Sequence, residues 1–401
     1  MRIALTNPYC WPQVRRGSER LLHDLSHYLT RRGHAVTIIS SAPGPRTVER
    51  DGDVRRILVE QRALLPWRNR WLTPFHRFGL QVRREVLDGG FDAVHCLNYH
   101  DAFGALLARR HRGGMRVVFQ MAGIALRRVF RTIPHDAMMF RHVIGQADAV
   151  LTVSGFAQAT LRAQFGRDSQ LLPSPTDIGP YLAMPKPLPG GALQLLFVGD
   201  ANEARKGAVL LARAFALLRR HHADMRLDYS GHADRGVMAA IRAAVPPADQ
   251  DAITFHDVGA VADLPGLYAR ASVFVNPAVW EAQGMVLVEA LASGTPVVGC
   301  NHAGIPDIIS DPAIGRMFEP GAIVGHAATD HVALAGALAE AAELAGRPET
   351  AARCRAHAVR FGWARLGPAY ESAITGLPLA ACTPTPAGGQ DAMADAAAGG
   401  P

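Results

Sequence analysis

Cysteine, lysine and long apolar runs are all scarce in this sequence. Its five cysteines stand singly, without a CxxC pair or a metal-ligand spacing. An odd and sparse set excludes a disulfide framework and indicates reduced thiols, as found in the cytoplasm. No window reaches about 18 uninterrupted apolar residues, which excludes a membrane-spanning helix. The first residues, MRIALTNPYCWPQ, also lack the charged and apolar regions of a signal peptide.

The composition is that of a folded chain with more than one domain. The 401 residues are 49% apolar and 19% charged, which excludes disorder over most of the chain. At about 150 residues per domain, this length predicts two or three domains. We therefore expect a soluble, cytoplasmic, multi-domain protein.

The charge differs between the two halves of the chain. Residues 1–180 hold 26 arginines and 14 acidic residues, a net charge of +12, whereas residues 181–401 carry a net charge of −5. The only two lysines are Lys186 and Lys206. A basic half joined to an acidic half predicts that the first half meets an anionic partner.

Short apolar runs alternate with segments of helical periodicity along both halves. In the first half we predict helices over 18–32, 101–112, 136–147 and 155–166, each following a short strand. Residues 173–191 contain six prolines and three glycines, which no strand or helix interior tolerates. After them the rhythm restarts, with predicted helices from 206, over 234–245, over 263–271 and from 285, and a helical region over 332–376. This pattern predicts two doubly wound α/β domains in tandem, with a ligand site in the cleft between them.

The segment 277–298, PAVWEAQGMVLVEALASGTPVV, has the strongest chemical pattern. A strand ends at Asn276, a loop carries Glu281 and Gly284, and a helix from about Met285 carries Glu289. Glycine lets a ligand approach the backbone, and the helix start directs free N–H groups at it, which suits a phosphate. Solvated surface glutamates are the alternative interpretation.

A second pattern lies in 195–215, LLFVGDANEARKGAVLLARAF. A strand ends at Gly199, and Arg205 and Lys206 open an amphipathic helix. Two cations at a helix start oppose the helix dipole, so an anion such as a diphosphate is expected beside them. Two ordinary surface cations are the alternative.

Together these stretches closely resemble the donor domain of the retaining group 1 (family 4) glycosyltransferases of GT-B fold. Glu281 and Glu289 match the family's glutamate–seven residues–glutamate motif, and Arg205 and Lys206 match its phosphate-binding region. AGIPDII (303–309) resembles its GxP loop, and FGWARLGPAY (361–370) its closing aromatic segment. The first half resembles the acceptor domain more loosely, through GHAVTIIS, FDAVHCL and DAVLTVSGFA.

The resemblance implies a domain organisation and a reaction. The implied parts are an acceptor-side domain (1–175), a linker (176–191), a donor domain (192–361), a helix that crosses back (362–376) and a disordered tail (377–401). The implied reaction moves a hexosyl group, with retention and without a metal, from a UDP- or GDP-sugar to a glycan or lipid-linked acceptor. Such a transfer belongs to cell-envelope or exopolysaccharide synthesis.

The resemblance also implies roles for single residues. Arg205 and Lys206 would hold the diphosphate, Glu289 the ribose hydroxyls and Glu281 the sugar, with Arg205, Lys206 and Glu281 as the catalytic set. The remaining donor contacts would be Gly199, Gly284, Met285 and Val286. The acceptor-side residues would be Arg16, Gly17, Ser18 and Gly123. No cofactor is expected, and no histidine/aspartate cluster suits a metal.

Three positions depart from the family pattern. Asp200 stands where the family often has arginine, so Arg205 would substitute for it or Asp200 would point away. Ala122-Gly123 stands in place of a histidine-glycine turn. The paired glycine of the N-terminal turn is Gly17-Ser18.

The segment 62–85 interleaves aromatic and basic residues, namely Trp67, Trp71, Phe75 and Phe78 with Arg68, Arg70, Arg77, Arg83 and Arg84. This composition suits an anionic membrane surface. Nucleic acid would accept it too, but no nucleic-acid motif accompanies it. An ordinary helix lining the cleft is the alternative.

Other functions remain open at this point. A GT-B nucleotide-sugar epimerase would need acid/base groups in the cleft. A phosphorylase would need a pyridoxal-binding lysine, for which only Lys186 and Lys206 are available. A non-catalytic protein that binds sugar nucleotides is a third possibility, suggested by Ala122 and Asp200.

Overall fold

The computed structural model describes residues 1–14, 16–61, 73–111, 113–131, 133–187, 191–256, 263–324 and 326–382. These residues form two α/β domains, each built on a mainly parallel sheet, with strand orders β3-β4-β2-β1-β5-β6-β7-β8 and β11-β10-β9-β12-β13-β14. The twin doubly wound architecture expected from the sequence is confirmed.

The strands are short and mostly buried, as sheets covered on both faces require. Those of the first sheet are β1 (Arg2–Thr6), β2 (Ala35–Ala42), β3 (Thr47–Asp51), β4 (Val54–Glu60), β5 (Ala93–Cys96), β6 (Arg116–Met121), β7 (Ala149–Thr152) and β8 (Gln170–Leu171). Those of the second are β9 (Gln194–Val198), β10 (Arg226–Ser230), β11 (Ile253–His256), β12 (Val273–Asn276), β13 (Val297–Cys300) and β14 (Gly315–Phe318).

Helices connect these strands and cover the sheets. Those up to the linker are α1 (Gly17–Arg31), α2 (Pro74–Gly89), α3 (Tyr99–Arg109), α4 (Pro134–Gln146), α5 (Gly155–Phe165) and α6 (Gly179–Leu182). The later ones are α7 (Ala208–Arg219), α8 (Arg235–Ala243), α9 (Leu264–Arg270), α10 (Met285–Ala292), α11 (Ile305–Ile308), α12 (His331–Ala345), α13 (Thr350–Ala358), α14 (Trp363–Thr375) and α15 (Leu379–Cys382).

Helix α14 follows the second domain in sequence but packs on the first. The Trp363 ring stacks on Tyr28 of α1 with 5.2 Å between centroids. Inside the first domain, Gln120 Nε2 donates to Tyr370 Oη at 2.7 Å. Gly367 allows the close approach, because a Cβ there would lie 2.5 Å from the Tyr28 ring. The helix therefore fastens the two domains together from the side.

Two further hydrogen-bonded contacts join the domains. Ser174, just after β8, donates its N–H to Gln283 Oε1 at 2.6 Å, and Gln283 Nε2 donates to the Ser174 carbonyl at 2.9 Å. The N–H of Gly155, at the start of α5, donates to Asp307 Oδ2 at 2.6 Å. In the second domain, Gln283 lies in the loop before α10 and Asp307 lies in the short helix α11.

The structure corrects several details of the predicted organisation. Strand β3 pairs antiparallel with β4, since the two residues between them allow only a hairpin. The helical region over 332–376 divides into α12, α13 and α14. Residues 377–382, predicted to belong to a disordered tail, include the short helix α15, in which Cys382 is buried and its carbonyl accepts from Arg32 Nη2 at 3.2 Å. Residues 383–401 lie outside the described part.

The aromatic and basic segment 62–85 only partly lies in the described part of the chain. Residues 62–72, with Trp67, Trp71, Arg68 and Arg70, fall outside it. The described remainder belongs to α2, where Phe78 is 2% exposed within the domain core. Phe78 is therefore unavailable to a membrane surface, which corrects the interpretation for that residue. No helix among the described residues is long and apolar enough to cross a membrane.

A buried carboxyl group gives the first domain a predicted pH dependence. Asp101 in α3 is fully buried and accepts from Thr6 Oγ1 at 2.6 Å. Burial raises its pKa to about 8. The folded state thus holds a proton that the unfolded state releases near pH 4, so stability is lost as pH rises from about 4 to about 8.

We expect Asp101→Asn to reduce this loss, because an amide cannot ionise. Each unit of raised pKa corresponds to about 1.4 kcal/mol. The Tm of Asp101→Asn minus that of the unaltered protein should therefore be larger at pH 8.5 than at pH 5. Thermal unfolding at both pH values measures this difference. Asp53→Asn, at an exposed position, is the control. A difference in Tm that does not change with pH would contradict the prediction.

Candidate active site

The interdomain cleft lies where the carboxyl ends of both sheets face each other. It contains a cavity of about 370 Å³ that receives residues from both domains. Its lining consists of Ala122, Gly123, Ile124, Leu126, Arg128, Val129, Arg205, Trp280, Glu281, Ala282 and His326. Of the predicted site residues, Arg205, Glu281 and Gly123 therefore line one cavity.

Lys206 and Glu281 form an ion pair at the donor side of the cleft. Lys206 Nζ lies 2.5 Å from Glu281 Oε2, and both side chains are less than one-fifth exposed. Lys206 ends a short 3₁₀ turn, Ala204–Lys206, that precedes α7. The predicted cation and the predicted sugar-binding carboxylate are thus direct partners, and the lysine fixes the carboxylate at the cavity wall.

Arg205 is turned toward the same loop. Its Nη1 donates to the Trp280 carbonyl at 3.3 Å, and its Nη2 lies 2.5 Å from Glu203 Oε2. Its own carbonyl accepts from the Val279 N–H at 3.3 Å. These contacts join the 3₁₀ turn to the loop that carries Glu281.

Gly284 marks the start of α10 and requires glycine. Its φ is 94°, and an added Cβ would lie 3.0 Å from Leu287 Cδ1. The first helical residue, Met285, reaches across the cleft, since a Cβ on Gly17 would lie 3.3 Å from Met285 Sδ. Gly17 is itself the first residue of α1. Two helix N-termini, each with free N–H groups and a positive dipole end, therefore meet at the cleft.

Glu289 lies one turn into α10, half-buried among hydroxyl groups. Tyr268 Oη donates to Glu289 Oε2 at 2.9 Å, and Tyr181 forms a second hydrogen bond with this carboxylate. Burial raises the pKa of Glu289, while the two tyrosines and the nearby charge of Arg20 oppose that rise. The carboxylate is therefore an acceptor in a largely enclosed polar site, which suits hydroxyl groups of a ligand.

Asp200 turns into its own loop. Its Oδ1 accepts from the Asn202 N–H at 3.0 Å. The carbonyl oxygen of the preceding Gly199 lies so close to Gly231 that any side chain at position 231 would collide with it. The expectation that Asp200 points away is consistent with this local hydrogen bond, and Arg205 contacts the Glu281 loop through the Trp280 carbonyl.

The structure does not bring the four predicted acceptor-side residues together at one place. Gly17 lies against Met285, and Gly123 lines the cavity. Arg16 is the exposed N-cap residue of α1. The Ser18 hydroxyl donates to Glu19 Oε2 at 3.0 Å.

Two family models match the chain, one to each domain. "Glycosyltransferase Family 4" matches residues 15–178, and "Glycosyl transferases group 1" matches residues 192–343. This chain belongs to the group 1, family 4 glycosyltransferases. The two matches fall on either side of the predicted linker and include Arg205, Lys206, Glu281 and Glu289.

Two curated relatives carry the same kind of activity in their names. The chain is 33% identical, over 44% of its length and 41% of the relative, to D-inositol 3-phosphate glycosyltransferase of Arthrobacter sp. (strain FB24). It is 24% identical, over 92% of its length and 93% of the relative, to phosphatidyl-myo-inositol mannosyltransferase of Propionibacterium freudenreichii subsp. shermanii. The first match thus spans less than half of that relative.

Solved structures agree with the GT-B fold. Sucrose-phosphate synthase from Thermosynechococcus elongatus superposes with a TM-score of 0.73 at 20% identity, covering 92% of this chain and 98% of the other. Anabaena HepE in complex with UDP-glucose superposes with a TM-score of 0.70 at 15% identity, covering 94% and 100%. At these identities the likeness shows the fold.

Several residues that build the cleft were missed at the level of sequence. The Arg128 guanidinium lies 5.1 Å from the Trp280 ring centre, and the His302 ring lies 4.8 Å from the same ring. Phe156 of the first domain is 5.3 Å from His302. Trp280 adjoins Glu281 in sequence, so its place could have been inferred, whereas Arg128, Phe156 and His302 carry no local signal.

Two groups of histidine and aspartate side chains, which the sequence did not reveal, lie in the first domain. Among the described residues, His76, His135 and Asp136 form one group whose ligand atoms lie within 4.8 Å of one another, and His23, His27 and Asp51 form another. Each group joins separate parts of the chain, since His135 lies 59 positions after His76 and Asp51 lies 24 positions after His27, so sequence spacing does not reveal the groups. Neither group belongs to the residues that line the cavity.

Proposed function

We propose that this chain is a retaining hexosyltransferase that uses a UDP- or GDP-sugar and a glycan or lipid-linked acceptor. The observation that carries the proposal is the meeting of two helix N-termini in the interdomain cleft, where Lys206 is paired with Glu281 and a cavity is lined by Arg205 and Glu281. Helix N-termini and cations together suit a diphosphate. The adjacent Glu289, held by tyrosine hydroxyls, suits the ribose.

In this proposal catalysis is electrostatic. The leaving diphosphate gains negative charge as the glycosidic bond breaks, and Arg205, Lys206 and the start of α10 stabilise that charge. Gly284 leaves the backbone N–H groups of Met285 and Val286 open to the distal phosphate. Glu281, fixed by Lys206 at 2.5 Å, would accept hydrogen bonds from the sugar hydroxyls.

The donor-site assignment predicts a loss of nucleotide affinity in two single variants. Lys206→Ala removes a cation from the diphosphate, and Glu289→Ala removes the ribose acceptor. Each should weaken UDP or GDP binding by about 1–3 kcal/mol, the range for a hydrogen bond to a charged group. Isothermal titration calorimetry measures the affinities.

Arg213→Ala in α7 and Glu343→Ala in α12 are matched controls, since both side chains are exposed. They should bind nucleotide as the unaltered protein does. Equal affinity in all four variants would refute the donor-site assignment.

The acceptor is proposed to be anionic. The two relatives are named for inositol 3-phosphate and phosphatidyl-myo-inositol, and both compounds carry phosphate. The first half of this chain carries a net charge of +12, and Arg128 and Arg131 border a cavity next to the donor site. We propose an acceptor with a phosphate or a lipid-linked phosphate, as used in cell-envelope or exopolysaccharide synthesis.

Retention and independence from an added metal form a third prediction. Among the described residues that line the cavity, Glu281 is the single carboxylate and is already paired with Lys206. Titrating Mg²⁺ or Mn²⁺ into protein prepared without them should leave the transfer rate unchanged. Nuclear magnetic resonance should show the donor's anomeric configuration in the product. Activity that appears only with added Mg²⁺ or Mn²⁺, or an inverted product, would contradict this reading.

A non-catalytic role in binding sugar nucleotides is the competing candidate. It is favoured by Ala122, which lines the cavity in place of the histidine of the family pattern. Nucleotide binding without product from any UDP- or GDP-sugar in a panel would support it. Product formation by the Ala122→His variant, but not by the unaltered protein, would also support the non-catalytic role.

We also propose that the protein associates peripherally with the inner face of the plasma membrane, because the first half of the chain carries a net charge of +12. Anionic lipid attracts basic residues by about 1 kcal/mol each near the surface. Sedimentation with anionic vesicles should then fall with added salt. If the basic half instead binds an acidic soluble glycan, the protein should stay in the supernatant with anionic vesicles even at low salt.

A further inference from the structure

Asn276, the last residue of β12, has a buried side-chain amide with only one of its two ends bonded. The residue is 4% exposed. Its Oδ1 accepts from the Ala278 N–H at 3.3 Å, which orients the amide and turns Nδ2 the other way. Among the described residues Nδ2 has no hydrogen-bond partner. A buried donor without a partner is costly, so this amide requires an acceptor that the described chain does not supply.

The unpaired amide nitrogen faces the space that Gly284 leaves open. A Cβ added to Gly284 would lie 3.7 Å from Asn276 Nδ2 and 3.4 Å from Glu281 Cγ. The φ of 94° at Gly284 favours glycine, so this space stays free of a side chain. Since both side chains lie within 4 Å of one point, the Asn276 amide and Glu281 border one small space beside the start of α10.

Glu281 brings a complementary group to the same space. Its Oε2 is paired with Lys206 Nζ at 2.5 Å, and among the described residues its Oε1 accepts no hydrogen bond. Glu281 also lines the interdomain cavity, so a ligand in the cleft can reach it. The space therefore has a free donor on one side and a free acceptor on the other.

This pair of groups selects a hydroxyl. An amide NH₂ group only donates hydrogen bonds, and an ionised carboxylate only accepts them. A hydroxyl can donate to Glu281 Oε1 and accept from Asn276 Nδ2 at the same time. A phosphate oxygen would meet the negative charge of Glu281, and an apolar group would leave Nδ2 unpaired.

The position of Asn276 is fixed by its neighbours in sequence. Pro277 follows it directly and packs against Gly207, where an added Cβ would lie 2.9 Å from Pro277 Cβ. Gly207 comes directly after Lys206, the partner of Glu281. The end of β12 is therefore packed against the turn that carries Lys206, and a supported side chain of this kind suits precise recognition.

We propose that Asn276, together with Glu281, binds one free hydroxyl of the transferred sugar and so helps to determine which sugar nucleotide is used. The inference rests on the proposed function, in which Glu281 accepts from the sugar hydroxyls, and it adds Asn276 as the donor to the same hydroxyl. A sugar without that hydroxyl would leave both buried groups unpaired, which is how such sites reject an analogue.

The test separates the sugar from the nucleotide. Isothermal titration calorimetry compares UDP and GDP with UDP-glucose, UDP-galactose, UDP-N-acetylglucosamine and GDP-mannose, in the unaltered protein, Asn276→Ala and Asn276→Asp. For the sugar nucleotide that the unaltered protein binds best, we expect the ratio of its affinity to that of the free nucleotide to fall about tenfold in both variants, because each lacks the amide donor. Asn276→Asp keeps the acceptor for the Ala278 N–H, so it preserves this local contact.

Asn301→Ala is the matched control. Asn301 follows β13, and its Nδ2 already donates to Glu319 Oε1 at 2.6 Å on the surface, so the ratio should stay unchanged. A ratio that is also unchanged in both Asn276 variants would overturn the proposal and leave water as the partner of the amide. Equal losses for nucleotide and sugar nucleotide would overturn it as well, since they would show a purely structural role. If the unaltered protein bound neither UDP nor GDP, the proposed function itself would fail.

Discussion

The close approach of two helix N-termini is the constraint on which this structure depends. The first residue of α1 lies against the first residue of α10, with Gly17 facing Met285. A side chain on Gly17 would push against Met285, and one on Gly284 would collide with the first turn of α10. Because each helix follows a parallel strand, both starts lie at the carboxyl edge of a sheet. The proposed anion site in the cleft would therefore need no specialised element.

The other contacts between the domains maintain this approach. Helix α14 bridges from the second domain to the first through Trp363 and Tyr370. Gln283 and Ser174 exchange two hydrogen bonds directly beside Gly284. Since Gln283 precedes the glycine that starts α10, the same short segment joins the two domains and carries part of the proposed donor site.

The side chains of the proposed donor site are already held in place by other residues of the chain. Lys206 holds Glu281, and two tyrosines hold Glu289. Groups that are already oriented do not need to reorganise as charge develops, which is the main source of electrostatic catalysis.

Local features were predictable from the sequence, and long-range ones were not. The strands, most helices and the residues around Glu281, Gly284 and Lys206 follow from periodicity, capping glycines and a family resemblance over a short segment. The antiparallel β3 was not predicted, and helix α2 was only the alternative interpretation of 62–85, whose composition favoured a membrane surface. The two histidine and aspartate groups, the Gln283–Ser174 pair and the Arg128–Trp280 contact join residues more than 20 positions apart, so only the folded chain brings them together. The crossing helix α14 was expected from resemblance alone.

The central claim is that the start of α10, facing α1, receives the diphosphate of a nucleotide sugar. Hydrogen–deuterium exchange with and without saturating UDP or GDP tests it most directly, since the first N–H groups of a helix have no partner within the helix. The account predicts slower exchange in peptides covering 284–288 and 17–21, with α12 unchanged. Saturating nucleotide that leaves exchange at 284–288 unaltered would contradict it.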